Sequence, residues 1–258
     1  MSDTSIIITG KLHKNGISTL DYYGSMFPVI ISCWEDDPNV SCLNSYKTNP
    51  NFKIIKTKAP LEDKLINEKV LMRNSTFPYQ IISIVNSLKA CTTKYVIKVR
   101  CDESWPDLLP LIELYNSDTN KLVCGNVFWS SIYKHHIGDH IWMGQTKVLL
   151  ETWENIYKGV FQHGPFLVRK DNPICDGNPE CCFYLHYIES AKRYFGLKRY
   201  LFDYLDCLNI NTMNNYVIQY ACYNLEWKKG EWPNADKRCT SCITSGEELK
   251  EEKLVDTM

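Results

Sequence analysis

Lys94-Tyr95-Val96-Ile97-Lys98-Val99-Arg100-Cys101-Asp102-Glu103 is a β-rich run that stops at two adjacent carboxylates. β-Branched and aromatic residues fit the pleated surface of a strand. In open α/β sheets ligands gather beyond the carboxyl ends of strands, where loops are free to carry chemistry. Asp102 and Glu103 fall at such an end. Hard divalent cations such as Mg2+ or Mn2+ take carboxylate oxygens and bind phosphates jointly with the protein, so acids here suit a nucleoside diphosphate. An ordinary strand-to-loop turn with exposed acids accounts for the same residues.

Working outward, the segment Thr76 to Ala90 carries Phe77, Ile81, Ile84, Val85 and Leu88 at helical spacing, with Pro78 in its first turn. Further upstream, Ser5 to Thr9 reads as a strand closed by Gly10, and Gly16 to Phe27 as a helix. Pro28 to Trp34 reads as a second strand ending in Glu35, Asp36 and Asp37, and Phe52 to Lys58 as a third. Downstream, Asp107 to Asn116 reads as a helix, Lys121 to Trp129 as a strand, Ile141 to Gly144 as a short apolar piece and Thr146 to Lys158 as a helix. This alternation predicts an α/β fold with a mostly parallel sheet flanked by helices. After Pro165 the pattern turns to helix-like segments at Glu180 to Phe195 and Lys198 to Leu208, so the C-terminal third is expected to be more helical. Two regions follow: 1–165 as an α/β domain for the nucleotide, and 166–258 packed on it.

The chain has 258 residues, 44% hydrophobic and 23% charged, enough for one large core. Its 29 Lys and Arg against 30 Asp and Glu leave no electrostatic footprint for nucleic acid. No apolar run approaches the roughly 20 residues of a membrane span, and Met1 to Gly10 does not read as a secretion signal. A cytoplasmic protein is expected, with most of its 12 cysteines reduced. Cys239 and Cys242 form a CxxC pair without a second pair to complete a zinc site.

Three further places carry candidate chemistry. The hexapeptide His135-His136-Ile137-Gly138-Asp139-His140 holds half of the six histidines, and imidazoles beside a carboxylate bind metal or move protons. This opens an alternative reading as a metal-dependent hydrolase built on His135, His136, Asp139 and His140. Glu180 opens a helical run, where the helix dipole favours an acid with or without a catalytic role. Arg73, ahead of the Thr76 helix, is placed to meet a phosphate or to form a surface ion pair. The chain has no GxxxxGK[ST], no GxGxxG after a strand, no GxSxG and no HExxH, which counts against ATPase, dinucleotide oxidoreductase, α/β-hydrolase and zincin readings.

Taken in order, five blocks resemble the WavE lipopolysaccharide synthesis family of GT-A-type glycosyltransferases. They are Ile8-Thr9-Gly10-Lys11-Leu12-His13, Phe27 to Trp34, Arg73 with Gln80 to Leu88, Thr93 to Asp102, and Asp139-His140-Ile141-Trp142-Met143-Gly144. The resemblance covers roughly residues 5 to 190. It implies a GT-A-like fold with a nucleotide-sugar, UDP-linked by preference, over the ends of the first strands, and a glycan or lipid-linked acceptor. Thr9, Gly10, Trp34 and Glu35 would line the nucleoside pocket. Arg73 would face the diphosphate, Arg100 would be a further residue binding the nucleotide-sugar, and Asp102, assisted by Glu103, would hold Mn2+ or Mg2+ as a DxD-like site. Here Cys101-Asp102-Glu103 departs from a strict DxD. Asp139 and Glu180 are the candidate bases of an inverting transfer. A non-catalytic sugar-binding module is the remaining alternative.

Overall fold

Strands buried on both faces read as near-continuous apolar runs, and Thr4–Thr9 (β1) and Val29–Trp34 (β2) do so here: every residue of β1 is buried, as are the first five of β2. The computed structural model describes residues 3–59, 77–125, 137–162, 179–198, 204–208, 212–213, 217–220 and 225–228. Among these, β1, β2, Phe52–Thr57 (β3), Tyr95–Arg100 (β4), Leu122–Gly125 (β5), Trp142–Gln145 (β6) and Leu205–Leu208 (β7) form one sheet in the order β3-β2-β1-β4-β6-β5-β7. All neighbours pair in parallel except β6, which runs antiparallel to both β4 and β5. Val217–Tyr220 (β8) and Leu225–Lys228 (β9) make a separate antiparallel pair, tied to the main body by two backbone hydrogen bonds between Ser104 and Val217. The α/β class and the mostly parallel sheet predicted from the alternation are those observed.

Successive side chains of a strand point to opposite faces, and the sheet separates two cores accordingly. Ile6, Ile8, Val29, Ile31, Ile97 and Val99 face Lys14–Ile17 (α1), Leu20–Met26 (α2) and Leu109–Ser117 (α4), whose Leu20, Tyr23, Leu111, Ile112 and Tyr115 fill that side. Ile7, Ile30 and Val96 face the other way, toward Phe77–Ala90 (α3), Thr146–Gln162 (α5) and Pro179–Phe195 (α6). Ile81, Ile84, Val85 and Leu88 of α3 repeat at the 3.6-residue period and are buried there. Trp153 stacks on Phe183 at 5.0 Å between ring centroids, joining α5 to α6.

Three expectations change. The helix expected over Gly16 to Phe27 is two helices broken at Ser18-Thr19, with the Thr19 hydroxyl donating back to the Gly16 carbonyl. The apolar piece at Ile141 to Gly144 is β6. The helix-like run Lys198 to Leu208 ends instead in β7, because its Tyr204, Leu205, Cys207 and Leu208 are buried against the sheet rather than along a helix stripe. No helix among the described residues is long and apolar enough to cross a membrane, and the eight described cysteines are free thiols.

One close approach positions the functional edge. A Cβ added at Gly16 would lie 2.2 Å from the carbonyl oxygen of Cys101, so α1 rests directly on the turn that follows β4. Gly16→Ala is expected to force these backbones apart at a cost of about 1–3 kcal/mol, lowering Tm by about 2–4 °C per kcal/mol. Thermal melts followed by circular dichroism check this, and an unchanged Tm would show that α1 does not bear on the turn.

Candidate functional site

The strand order reverses between β1 and β4: the chain winds outward to β2 and β3, then returns to β4 on the other side of β1. Ligands of open α/β sheets bind in the crevice beyond such a switch point. Thr9, buried, ends β1 there, and Gly10 follows at φ 109°, a left-handed conformation that only glycine adopts without strain. Beside it, Asp37 is buried and binds the two neighbouring loops together. One carboxylate oxygen accepts from the Leu12 amide at 2.7 Å and the other from the Asn39 amide at 2.9 Å, while the Asn39 side chain donates to the Leu12 carbonyl. Trp34, half-buried at the end of β2, packs edge-on against Tyr79 of α3 at 5.5 Å, and Glu35 is exposed next to it.

The turn after β4 does two different things with its two acids. Asp102 is partly buried and held in a two-point ion pair with Arg100: Nε donates to Oδ1 at 2.9 Å and Nη2 to Oδ2 at 2.7 Å. Burial works against the Asp102 charge, but the adjacent guanidinium, with His140 behind it, holds the carboxyl below its ordinary range. Glu103 turns inward and is fully buried. Its Oε1 meets Nδ1 of His140 and lies 3.3 Å from Nε of Arg100, and its Oε2 accepts from Trp105 Nε1 at 3.0 Å.

Because β6 is antiparallel, the residues that lead into it arrive at the same edge as the ends of β1 and β4. They deliver Asp139 and His140, both buried. Lys98 lies on the α3 side of β4, fully buried, and its ammonium donates to the backbone carbonyls of Asp139 and His140. Burial lowers the Lys98 pKa, with Asp139 opposing the fall. The Asp139 carboxylate accepts from Gln80 Nε2 at 2.6 Å. Burial disfavours its charge, yet Lys98, His140 and Arg100 together keep it well below the ordinary carboxylate range. Glu180, partly buried in the first turn of α6, is pushed up to about 8 by burial and then by the Asp139 charge. Two acids of unequal proton affinity thus stand in one electrostatic environment, the pattern by which environments divide acid and base duties.

The structure therefore brings together Thr9, Gly10, Arg100, Asp102, Glu103, Asp139 and Glu180 at one edge of the sheet, with Trp34 and Glu35 at the end of the adjoining β2. Arg73, His135 and His136 lie outside the described residues, as do Cys239 and Cys242. His140 spends its Nδ1 on Glu103, so the histidine-based hydrolase draws no support from it. Sequence reasoning did not single out Lys98, Gln80 or the clamping role of Asp37. Lys98 carried a usable signal, since it stands at an inward position of a strand whose other inward residues are apolar.

Divalent ions take carboxylate oxygens that are open to them. Glu103 is sealed, with both oxygens engaged. Both Asp102 oxygens accept from one guanidinium, and an ion bound to Oδ2 at about 2.1 Å would stand within roughly 5 Å of the positive Nη2. As arranged, Asp102 and Glu103 do not fit a divalent ion. Among the described residues no group of three His, Cys, Asp or Glu side chains is disposed to hold one.

No protein-family model matches the chain, and no curated protein matches it. Among solved structures it is similar to a 4-diphosphocytidyl-2C-methyl-D-erythritol synthase from Anaerococcus prevotii DSM 20548. The TM-score is 0.42 and the identity 14%, over 62% of this chain and 77% of that one.

Proposed function

We propose that the chain is a GT-A-like glycosyltransferase that moves a sugar from a nucleotide-sugar, UDP-linked by preference, to a hydroxyl of a glycan or glycolipid. The observation that carries this reading is the convergence, at the switch point between β1 and β4, of a cation fit for phosphate with two carboxyls of divided proton affinity. The order of the five sequence blocks supports it, since four of them fall on β1, β2, β4 and the approach to β6 around that point. Thr9, Gly10 and the Trp34-Glu35 loop serve the nucleoside. Residues 166–258 serve the acceptor side and contribute Glu180 on α6.

In an inverting transfer the acceptor oxygen attacks the anomeric carbon as the bond from that carbon to the diphosphate oxygen breaks. The electron pair of that bond leaves with the nucleoside diphosphate, and the acceptor proton passes to a carboxylate. Glu180 is the better base of the two candidates, because a group near 8 binds a proton more firmly than the strongly acidic Asp139. Asp139 keeps its charge and thereby holds the Glu180 proton affinity high.

The experiment is a thermal-shift panel with UDP-, GDP- and dTDP-sugars, followed by assay of donor turnover. A ligand bound only by the folded state raises Tm by mass action. A rise with at least one nucleotide-sugar, together with its turnover, is expected. No response to any of them defeats the reading, and binding without turnover points to a non-catalytic module.

A further inference from the structure

The turn at Asp102 and Glu103 is the place where a metal-bound diphosphate was expected, and its carboxylates are already committed to cations and donors of the protein itself. Glu103 is sealed among His140, Trp105 and Arg100. Asp102 uses one oxygen on Nε and the other on Nη2 of Arg100. A guanidinium has five N–H donors in a planar fork. Asp102 occupies one side of that fork, and among the described residues nothing accepts from Nη1. The Arg100 side chain is 30% exposed, and Asp102 fixes the plane in which the remaining donors lie.

We propose that Arg100, oriented by Asp102, is the group that meets the diphosphate of the donor, and that this contact needs no divalent ion on the Asp102-Glu103 turn. The inference rests on the nucleotide-sugar reading and adds to it. Arg matches phosphate oxygens two at a time and stays charged at any working pH. A phosphate bound at its open side shares the guanidinium with Asp102 instead of displacing it. Asp102 is then a positioning residue, and its negative charge limits how tightly the diphosphate is held.

The test is calorimetric titration of the full chain with UDP, GDP, dTDP and inorganic pyrophosphate, first in EDTA and then in Mn2+. Binding of at least one of them in EDTA, with a Kd within about twofold of the Mn2+ value, is the expected result. Binding that appears only with Mn2+ overturns the inference and leaves the transferase reading standing. Silence toward all four probes in both buffers overturns both. Two variants sharpen the outcome. Arg100→Gln is expected to weaken pyrophosphate and nucleotide binding about tenfold or more, the scale of one charge-assisted contact. Asp102→Asn is expected to keep or tighten that binding, because it removes the anion that competes for the guanidinium. A metal site on Asp102 demands the opposite, loss of ion-dependent binding in Asp102→Asn. This second variant decides the matter even where Arg100→Gln fails to fold, which circular dichroism would report.

Discussion

Glu180→Gln is expected to lower the rate of sugar transfer by about 10²–10⁴-fold, the usual contribution of a positioned general base, while leaving nucleotide binding in place. The parent rate should climb with pH toward a midpoint near 8, as the Glu180 carboxyl gives up its proton and becomes able to take one from the acceptor. The variant should lose that limb. A second readout follows from linkage. The folded-state pKa of Glu180 stands above its ordinary 4.5, so between about 4.5 and 8 the folded chain binds more protons than the unfolded one. By linkage, stability then falls as pH rises through that window. Urea melts at stepped pH should show Glu180→Gln gaining on the parent toward pH 8, a comparison in which the other titrating groups cancel. An equal pH slope in the two proteins, together with a preserved rate limb, would sink the assignment. Asp139 acts in a different window. Its depressed pKa supplies stability that is present above about 4 and is lost as pH falls below.

Glu103→Ala is expected to have the largest effect on stability. The carboxylate is fully buried and is the acceptor for Trp105 Nε1 and the partner of His140 and Arg100. Removing it leaves buried donors and positive charge uncompensated, a class of change that costs about 3–5 kcal/mol. For a chain of this size that amounts to a Tm drop on the order of 10 °C. Glu103→Gln should cost less, because the amide oxygen can still accept from Trp105. A loss below about 1 kcal/mol in Glu103→Ala would show that the buried cluster reorganises freely and that Glu103 does not anchor the turn.

Much of the sheet was legible because strands covered on both faces leave uninterrupted apolar runs. β4 lies within the β-rich run read at Lys94 to Glu103 and is found at Tyr95–Arg100. The α3 helix was legible from the 3.6-residue spacing of Ile81, Ile84, Val85 and Leu88. Two things were not. A four-residue strand such as β7 offers too few residues to separate a period of 2 from one of 3.6, and a helix was read in its place. The direction of β6 leaves no mark in Ile141-Trp142-Met143-Gly144, since a strand reads alike in either sense. At the site, the acids at the end of β4 were visible, but their division of labour was not. Whether Glu103 turns inward depends on His140 and Trp105 meeting it in space, and no spacing along the chain encodes that meeting.

The antiparallel course of β6 has a bearing on how such a protein can diversify. Gly125 closes β5 with its amide bonded to the carbonyl of Ile141, so the chain leaves the sheet and re-enters it at the same edge, beside the ends of β1 and β4. The connection from β5 to β6 is thus anchored where Gly125 and Ile141 are hydrogen-bonded. Lengthening a closed loop costs only about 0.6 kcal/mol per doubling. That stretch can therefore be exchanged for others of different length and chemistry while Asp139 and His140 keep their places. A series of chains grafted there is expected to leave the Asp139 carboxylate, bonded to Gln80 of α3, where it stands.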